Sequence, residues 1–355
     1  MGTQWSIHEF LSSRNCIHAT PCETGLTNLK WKCLHRLFRS TMVKFGLVVE
    51  NFTSPGKDPD FDAILRQTRR AEELGFDSIW VYDHLVLGSK KVFPILESLT
   101  TISALAAGTS RIKFGTSILV LPLREPLLLA KVVSTINHIS KGRLILGVAA
   151  GWYEKEFKAC GISFLDRGRI MEEKFLLLKR LLTEDDINVQ GSGYEYKHTT
   201  IAPRPSRENR IRMLMGGYVE RVLKRVGTIS DGWLSYYYTA KDFSESWNRV
   251  IGYAKAAGRN PSELSSANML PISVASNSEE ANQKIQQFTQ QYMDLPSWSH
   301  ASVDSGIAGN LDDCEKTLRS HVEAGVDNIV FIPAFYDQDQ VEVIGGELLP
   351  RFLAK

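Results

Sequence analysis

From Val43 onward the chain alternates short apolar runs with longer amphipathic stretches, and the hydrophobic period switches between about two and about 3.6 residues as it does so. The apolar runs predict strands over residues 43–49, 78–82, 112–120, 144–150, 212–215, 232–236, 269–275 and 328–332. Between them the pattern predicts helices over 61–74, 94–107, 126–140, 219–228, 242–257, 278–292, 312–324 and 341–352. Gly75 is the expected stop of the first helix, and Pro126 sits in the first turn of the third. Two stretches interrupt the alternation. After strand four comes a helix near 169–182 and a polar, hairpin-like segment at 188–200; after the seventh helix comes 293–310, rich in Ser, Gly and Asp. Eight repeats of strand and helix predict an α/β fold, a (β/α)8 TIM barrel with insertions after strand 4 and after helix 7. A dinucleotide-binding sheet would need GxGxxG after strand one, and residues 45–51 read FGLVVEN instead.

In such a barrel, ligands and catalytic groups gather where the strands end. The run Leu144 to Ala150 is apolar throughout and is bracketed by turn glycines, as a strand buried on both faces requires. Just beyond it, Gly151 leaves room for a flat ligand and Trp152 can wall it, although a packed strand with a glycine turn gives the same pattern. Strand two ends in Asp83-His84, and an imidazole at that rim can give or take a proton near neutral pH. Strand five ends in Met215-Gly216-Gly217 just before a helix, which is either a phosphate cradle of backbone N–H groups or a simple turn. Glu220 in that helix's first turn would repel a phosphate, while Arg167 and Arg169 could offset it if the insertion folds over the barrel top. The run Tyr236-Tyr237-Tyr238 suggests an aromatic pocket wall and a substrate more apolar than charged.

Composition narrows the partners. The chain has 355 residues, 43% hydrophobic and 23% charged, with a net charge of +2, which fits a globular enzyme and gives no reason to expect nucleic acid. No apolar run is long enough to span a bilayer and no secretory signal is evident, so neither membrane nor export is expected. Cys16, Cys22 and Cys33 lie near the N-terminus and only Cys160 and Cys314 in the body, a pattern that predicts a reducing, cytoplasmic setting. Residues 1–41 lack the alternation and carry five Lys/Arg against two Asp/Glu. Residues 29–38 could form a short basic amphipathic helix, Cys16, Cys22, Cys33 and His35 match no common zinc spacing, and Glu9 and Glu23 argue against a transit peptide. The expected organisation is an N-terminal extension over 1–41 and one barrel domain over 42–355, with no metal site.

Five segments carry a resemblance in register: 42–50 (MVKFGLVVE), 75–87 (GFDSIWVYDHLVL), 111–126 (RIKFGTSILVLPLREP), 138–157 (HISKGRLILGVAAGWYEKEF) and 214–233, from LMGG to SDGW. Together they resemble the bacterial luciferase-like oxidoreductases, closest to the subgroup that uses the deazaflavin coenzyme F420. The resemblance implies a cofactor, reduced F420 or reduced FMN, and an enzyme that reduces or oxygenates a small organic molecule. It implies a homodimer, and a separate reductase that supplies the reduced cofactor. It implies that His84 and Asp83 are catalytic, beside the flavin ring. It implies that Ser117 and Ile118 back the ring through a bulge or a non-proline cis peptide. Gly151, Trp152, Gly216, Gly217 and Tyr218 are implied to bind the cofactor. The chain departs from the family at Glu125, where relatives commonly have Asn, and at Val219, where they usually offer Ser or Thr. Those departures keep open a non-catalytic flavin-binding barrel. An unrelated barrel hydrolase is the remaining alternative, and the body has neither GxSxG nor a metal-spaced cluster of His and carboxylates.

Overall fold

Strand β1 (Lys44–Val48) lies between β2 (Ser78–Val81) and the last strand, β12 (Asn328–Pro333), and that pairing closes a parallel barrel. The structure, a computed structural model, describes residues 43–88, 91–191, 194–293 and 301–353. The expectations for residues 1–41 lie outside that range. From β2 the ring continues through β3 (Lys113–Thr116), β5 (Leu144–Ala149), β8 (Arg212–Gly216), β9 (Gly232–Tyr236) and β10 (Ser265–Val274) to β12, every pair parallel. The predicted eight-stranded barrel is therefore the observed architecture.

The inside of the ring explains two glycines in the resemblance segments. Trp80 on β2 is fully buried, and its indole fills the space that side chains at Gly46 and Gly115 would occupy. A Cβ on Gly46 would lie 2.7 Å from Trp80 Nε1, and one on Gly115 would lie 2.3 Å from the ring. The two glycines flank Trp80 on the neighbouring strands, and the indole N–H donates to Ser78 Oγ at 2.9 Å. Outside the ring, Phe45 stacks on Phe331 at 5.7 Å in the layer between barrel and helices.

The helices follow the sequence pattern with local terminators. α1 (Phe61–Glu73) starts at Asp60, whose carboxylate accepts the Ala63 N–H, and Gly75 turns the chain beyond its end at φ +88°. α2 (Ser98–Ala107) and α3 (Pro126–Ile139) follow β2 and β3. The carboxylate at Glu125 accepts the N–H groups of Leu127 and Leu128, so this side chain serves as the cap of α3.

Several boundaries differ from expectation; the helix predicted over 94–107 starts at Ser98, and the one over 341–352 is interrupted by a π-helical segment at Ile344–Leu348. The predicted strand 112–120 is two pieces, β3 and β4 (Leu119–Val120), separated by a cis peptide between Ser117 and Ile118. After β5 a short helix, α4 (Glu154–Ala159), precedes α5 (Arg167–Thr183). α5 buries Met171, Phe175 and Leu178 against the core, so it serves as the ring's own fourth helix and the true addition is the antiparallel hairpin β6 (Ile187–Gly191) and β7 (Tyr194–Thr199). β10 begins at Ser265 rather than 269, because the buried polar side chains there find partners: Ser266 Oγ donates to the Gly325 carbonyl at a helix end, and Asn268 Oδ1 accepts from Ser235 Oγ on β9. The region 293–310 contains β11 (Ile307–Gly309), which pairs with the end of β10 outside the ring. The remaining helices are α6 (Glu220–Ile229), α7 (Ala240–Ala256), α8 (Ser278–Met293), α9 (Leu311–Ala324), α10 (Gln338–Val343) and α11 (Pro350–Leu353). None of the described helices is long and apolar enough to cross a membrane.

Candidate active site

A cavity of about 460 Å³ opens at the carboxyl ends of the strands, within the size range of small-molecule sites. The catalytic and cofactor residues expected at the strand ends line it, as do Tyr236 and Tyr238 of the tyrosine run, but not Tyr237. Asp83 and His84 enter from the end of β2, and Ser117 and Ile118 from the break between β3 and β4. Gly151 and Trp152 follow β5, while Gly216, Gly217 and Tyr218 follow β8.

The segment bearing Asp83 and His84 is fixed from behind. Asn51, fully buried past the end of β1, accepts the Tyr82 N–H at 2.8 Å and donates to the Tyr82 carbonyl at 2.9 Å. Asp83 is buried and accepts from three donors: Arg124 Nη2 at 2.6 Å, Ser98 Oγ at 2.9 Å and the Val120 N–H at 2.9 Å. Burial pushes its carboxyl above the usual range, against the pull of Arg124 and the two other donors. The Val120 contact ties the strand-two end to the chain just past the cis Ser117–Ile118 bond.

His84 points the other way. Its Nδ1 lies 3.0 Å from Glu156 Oε2, and Glu156, on α4, is only 1% exposed. The other oxygen of Glu156 accepts the N–H groups of Leu85 and Val86 at 2.5 and 3.1 Å. A carboxylate offers no proton, so Nδ1 carries the hydrogen and donates it, which leaves Nε2 as the atom that can accept or return a proton. The edges of Trp152 and Tyr153 pack around the imidazole with ring centroids 5.6 and 6.4 Å away.

On the far side, Gly217 takes φ +127°, open to glycine and strained for other residues, and leads into α6. Val219, at the N-cap position, offers no side-chain acceptor to the first-turn amides. Glu220 does not face them as a free charge. Its carboxylate is taken by Arg249 at 2.7 Å and by the Tyr253 hydroxyl on α7. Arg167 lines the cavity and spans from the Gly151 carbonyl (Nε, 3.1 Å) to the Phe164 carbonyl (Nη1, 2.8 Å), with its guanidinium 3.9 Å over the Phe164 ring. Arg169 is turned to Asp166 and Glu173 on the surface. One of the two arginines weighed from sequence thus reaches the site.

Sequence reasoning missed Glu156, Phe52, Tyr82 and Tyr292, the last three being aromatic lining residues. A buried Glu beside a buried Phe157 in YEKEF is a signal for Glu156, because two adjacent inward positions leave one polar group needing a partner. Among the described residues no group of His, Cys, Asp and Glu is placed to hold a metal.

The sequence profile of luciferase-like monooxygenases matches residues 43–329. An F420-dependent glucose-6-phosphate dehydrogenase of Amycolatopsis mediterranei is 25% identical over 311 residues, 80% of this chain and 92% of the relative. Two solved structures share the fold. A monooxygenase of Streptomyces bottropensis superposes with a TM-score of 0.74 at 19% identity, over 87% of this chain and 99% of the other. The oxygenating constituent of a diketocamphane monooxygenase of Pseudomonas putida, in complex with FMN, superposes at 0.72 and 19% identity, over 87% and 99%.

Proposed function

Because the chain belongs to the luciferase-like monooxygenase family, we propose that it is an oxidoreductase that binds reduced coenzyme F420, or in its place reduced FMN, across the barrel top and reduces or oxygenates a small organic substrate there. One observation carries the reading: a single cavity is lined both by an uncapped helix start flanked by glycines and by a histidine oriented by a buried carboxylate.

The residues fit such a cofactor. Amides at the start of α6 and the Arg167 guanidinium suit a phosphate. The ring would lie between the Ser117–Ile118 backing and the Gly151–Trp152 wall, which are largely apolar and exclude water. When bound, the reduced cofactor supplies the hydride, or the activation of oxygen, that no side chain can supply. His84 holds or moves the accompanying proton at Nε2, Glu156 fixes its tautomer, and Asp83 positions the strand-two end rather than reacting. The case for a non-catalytic binder rested on Glu220 and Val219, and the Arg249 and Tyr253 contacts remove the charge at the first.

On this reading a separate reductase supplies the reduced cofactor and the protein works in the cytoplasm. A second copy docks on the helical side, where Leu128 on α3 and Leu176 on α5 stand exposed. Residues 1–41 form an extension to a barrel domain over 42–355. The test is a fluorescence titration with F420 and with FMN. Saturable quenching by one of them with a dissociation constant near 1 μM, about −8 kcal/mol, is expected. Absence of quenching by both at a hundredfold higher concentration would refute the reading.

A further inference from the structure

The cavity divides by chemistry. Among the described residues that line it, the one arginine, Arg167, is on the Gly151 side, and there is no lysine. Away from Arg167 the wall is formed by Phe52, Tyr82, Phe93, Ile95, Tyr236 and Tyr292. Asp83 is the other charged lining group, and its partner Arg124 is not on the wall.

The aromatic half is held rigidly. Phe52 meets Tyr82 edge to face at 5.0 Å and Tyr292 at 5.6 Å, and behind them Phe288 and Tyr336 lock to Tyr292 at 5.0 and 5.6 Å. Tyr237, Phe335 and Tyr336 adopt left-handed backbone conformations, φ +55°, +60° and +52°. Each costs on the order of 1–2 kcal/mol for a residue with a Cβ and persists only where its surroundings impose it. The hydroxyls of Tyr82, Tyr236 and Tyr336 meet one another in one buried cluster, and burial raises the affinity of each for its proton, so the cluster stays uncharged at any ordinary pH.

A preformed, uncharged ring cage with no free cation among its described lining residues selects a particular ligand. We propose that this half is the substrate subsite, and that it takes an uncharged, ring-sized apolar molecule held against the aromatic wall, and rejects phosphorylated or carboxylated substrates. The inference rests on the coenzyme reading only in assigning the Arg167 side to the cofactor. A sugar phosphate placed in the cage would bury a dianion without a counter-charge, which costs several kcal/mol. A neutral ketone has no charge to desolvate, and its apolar ring gains by leaving water for the aromatic wall.

The test is calorimetric titration of the full chain, with and without saturating coenzyme, using cyclohexanone, cyclohexanecarboxylate and glucose 6-phosphate as probes. Cyclohexanone is expected to bind at least tenfold more tightly than either anion. Tyr236→Leu, which removes one ring of the wall, should weaken cyclohexanone about fivefold, the scale of one aromatic contact, with coenzyme affinity unchanged. Leu87→Lys, which adds a cation to the lining, should narrow the gap between ketone and carboxylate and needs no change in the cage. Anions binding as tightly as cyclohexanone to the natural chain would overturn the proposal, as would a gap that Leu87→Lys leaves unaltered. Ketone selectivity in a chain that binds neither coenzyme would support the cage and refute the coenzyme reading separately.

Discussion

Replacing Glu156 by Gln isolates the role given to His84. The change keeps the shape of a side chain that is 1% exposed and removes its charge. Gln can still offer its carbonyl to the Leu85 and Val86 N–H groups, which come from one direction and meet one oxygen. Its NH2 then faces His84 Nδ1, where the carboxylate oxygen lay 3.0 Å away. Two donors cannot share that contact, so the imidazole proton moves to Nε2 and the proton-accepting atom turns from the cavity to the glutamine. The electrostatic loss acts in the same direction. A carboxylate about 4 Å from a developing imidazolium is worth roughly 4 kcal/mol at an effective dielectric near 20. Together these predict a fall in turnover of about 10² to 10⁴, or roughly 3–5 kcal/mol of barrier. Folding should lose only about 1–2 kcal/mol, because the backbone contacts survive. Turnover is followed by cofactor absorbance, and the tautomer by nitrogen NMR of labelled histidine. Turnover within threefold of the natural protein, with the proton moved to Nε2, would show that the dyad is structural.

His84→Ala should lower turnover about a hundredfold or more while cofactor affinity, measured by quenching, hardly changes. Asp83→Asn should cost about 3 kcal/mol, because it leaves the largely buried Arg124 with only Glu97 at 3.5 Å, and calorimetry should show a melting temperature lower by roughly 6 °C. His321 on α9 is buried, its Nδ1 has no partner among the described residues, and burial lowers its pKa to about 4 from 6.5. The unfolded chain therefore binds the proton first, so stability is full above pH 6.5 and falls by roughly 3 kcal/mol as pH drops toward 4; His321→Leu should flatten that decline in a series of melts, and an unchanged slope would assign it to other groups. A chain beginning at Met42 should keep its melting temperature and cofactor binding, and a drop of several degrees would show that residues 1–41 pack on the barrel.

The legible parts of this molecule are those whose causes are local. An apolar run such as 144–150 needs only its own residues to declare a buried parallel strand, and a Gly after a periodic helix declares its stop. The rim positions of His84, Gly151 and Gly216 followed from where such runs end, so the cavity's outline was readable in one dimension. The same logic failed where a residue's meaning depends on something far along the chain. Strand three was drawn as continuous from its apolar run, because hydrophobicity carries no sign of the break at Ser117–Ile118, which only the family resemblance implied. The helix at 169–182 was read as an insertion because periodicity does not say which neighbour a helix packs on.

Charge was the least legible property, for a physical reason. Glu220 in isolation is a carboxylate in the first turn of a helix, where it opposes a phosphate, and Arg249 lies 29 positions on in the next helix of the ring. Adjacent barrel helices run in the same direction with a strand between them, so their facing residues are separated by a full repeat rather than by a turn. Glu156 and His84 are separated by two repeats, 72 positions, and come together only because β2 and β5 both end at the same rim. Motif reading finds the residues that a fold places at a rim. It does not find the pairing that decides whether a carboxylate there repels an anion or orients a base as Glu156 does, because that choice is made by a partner far along the chain, whereas a cap such as Glu125 is made with the carboxylate's own neighbours.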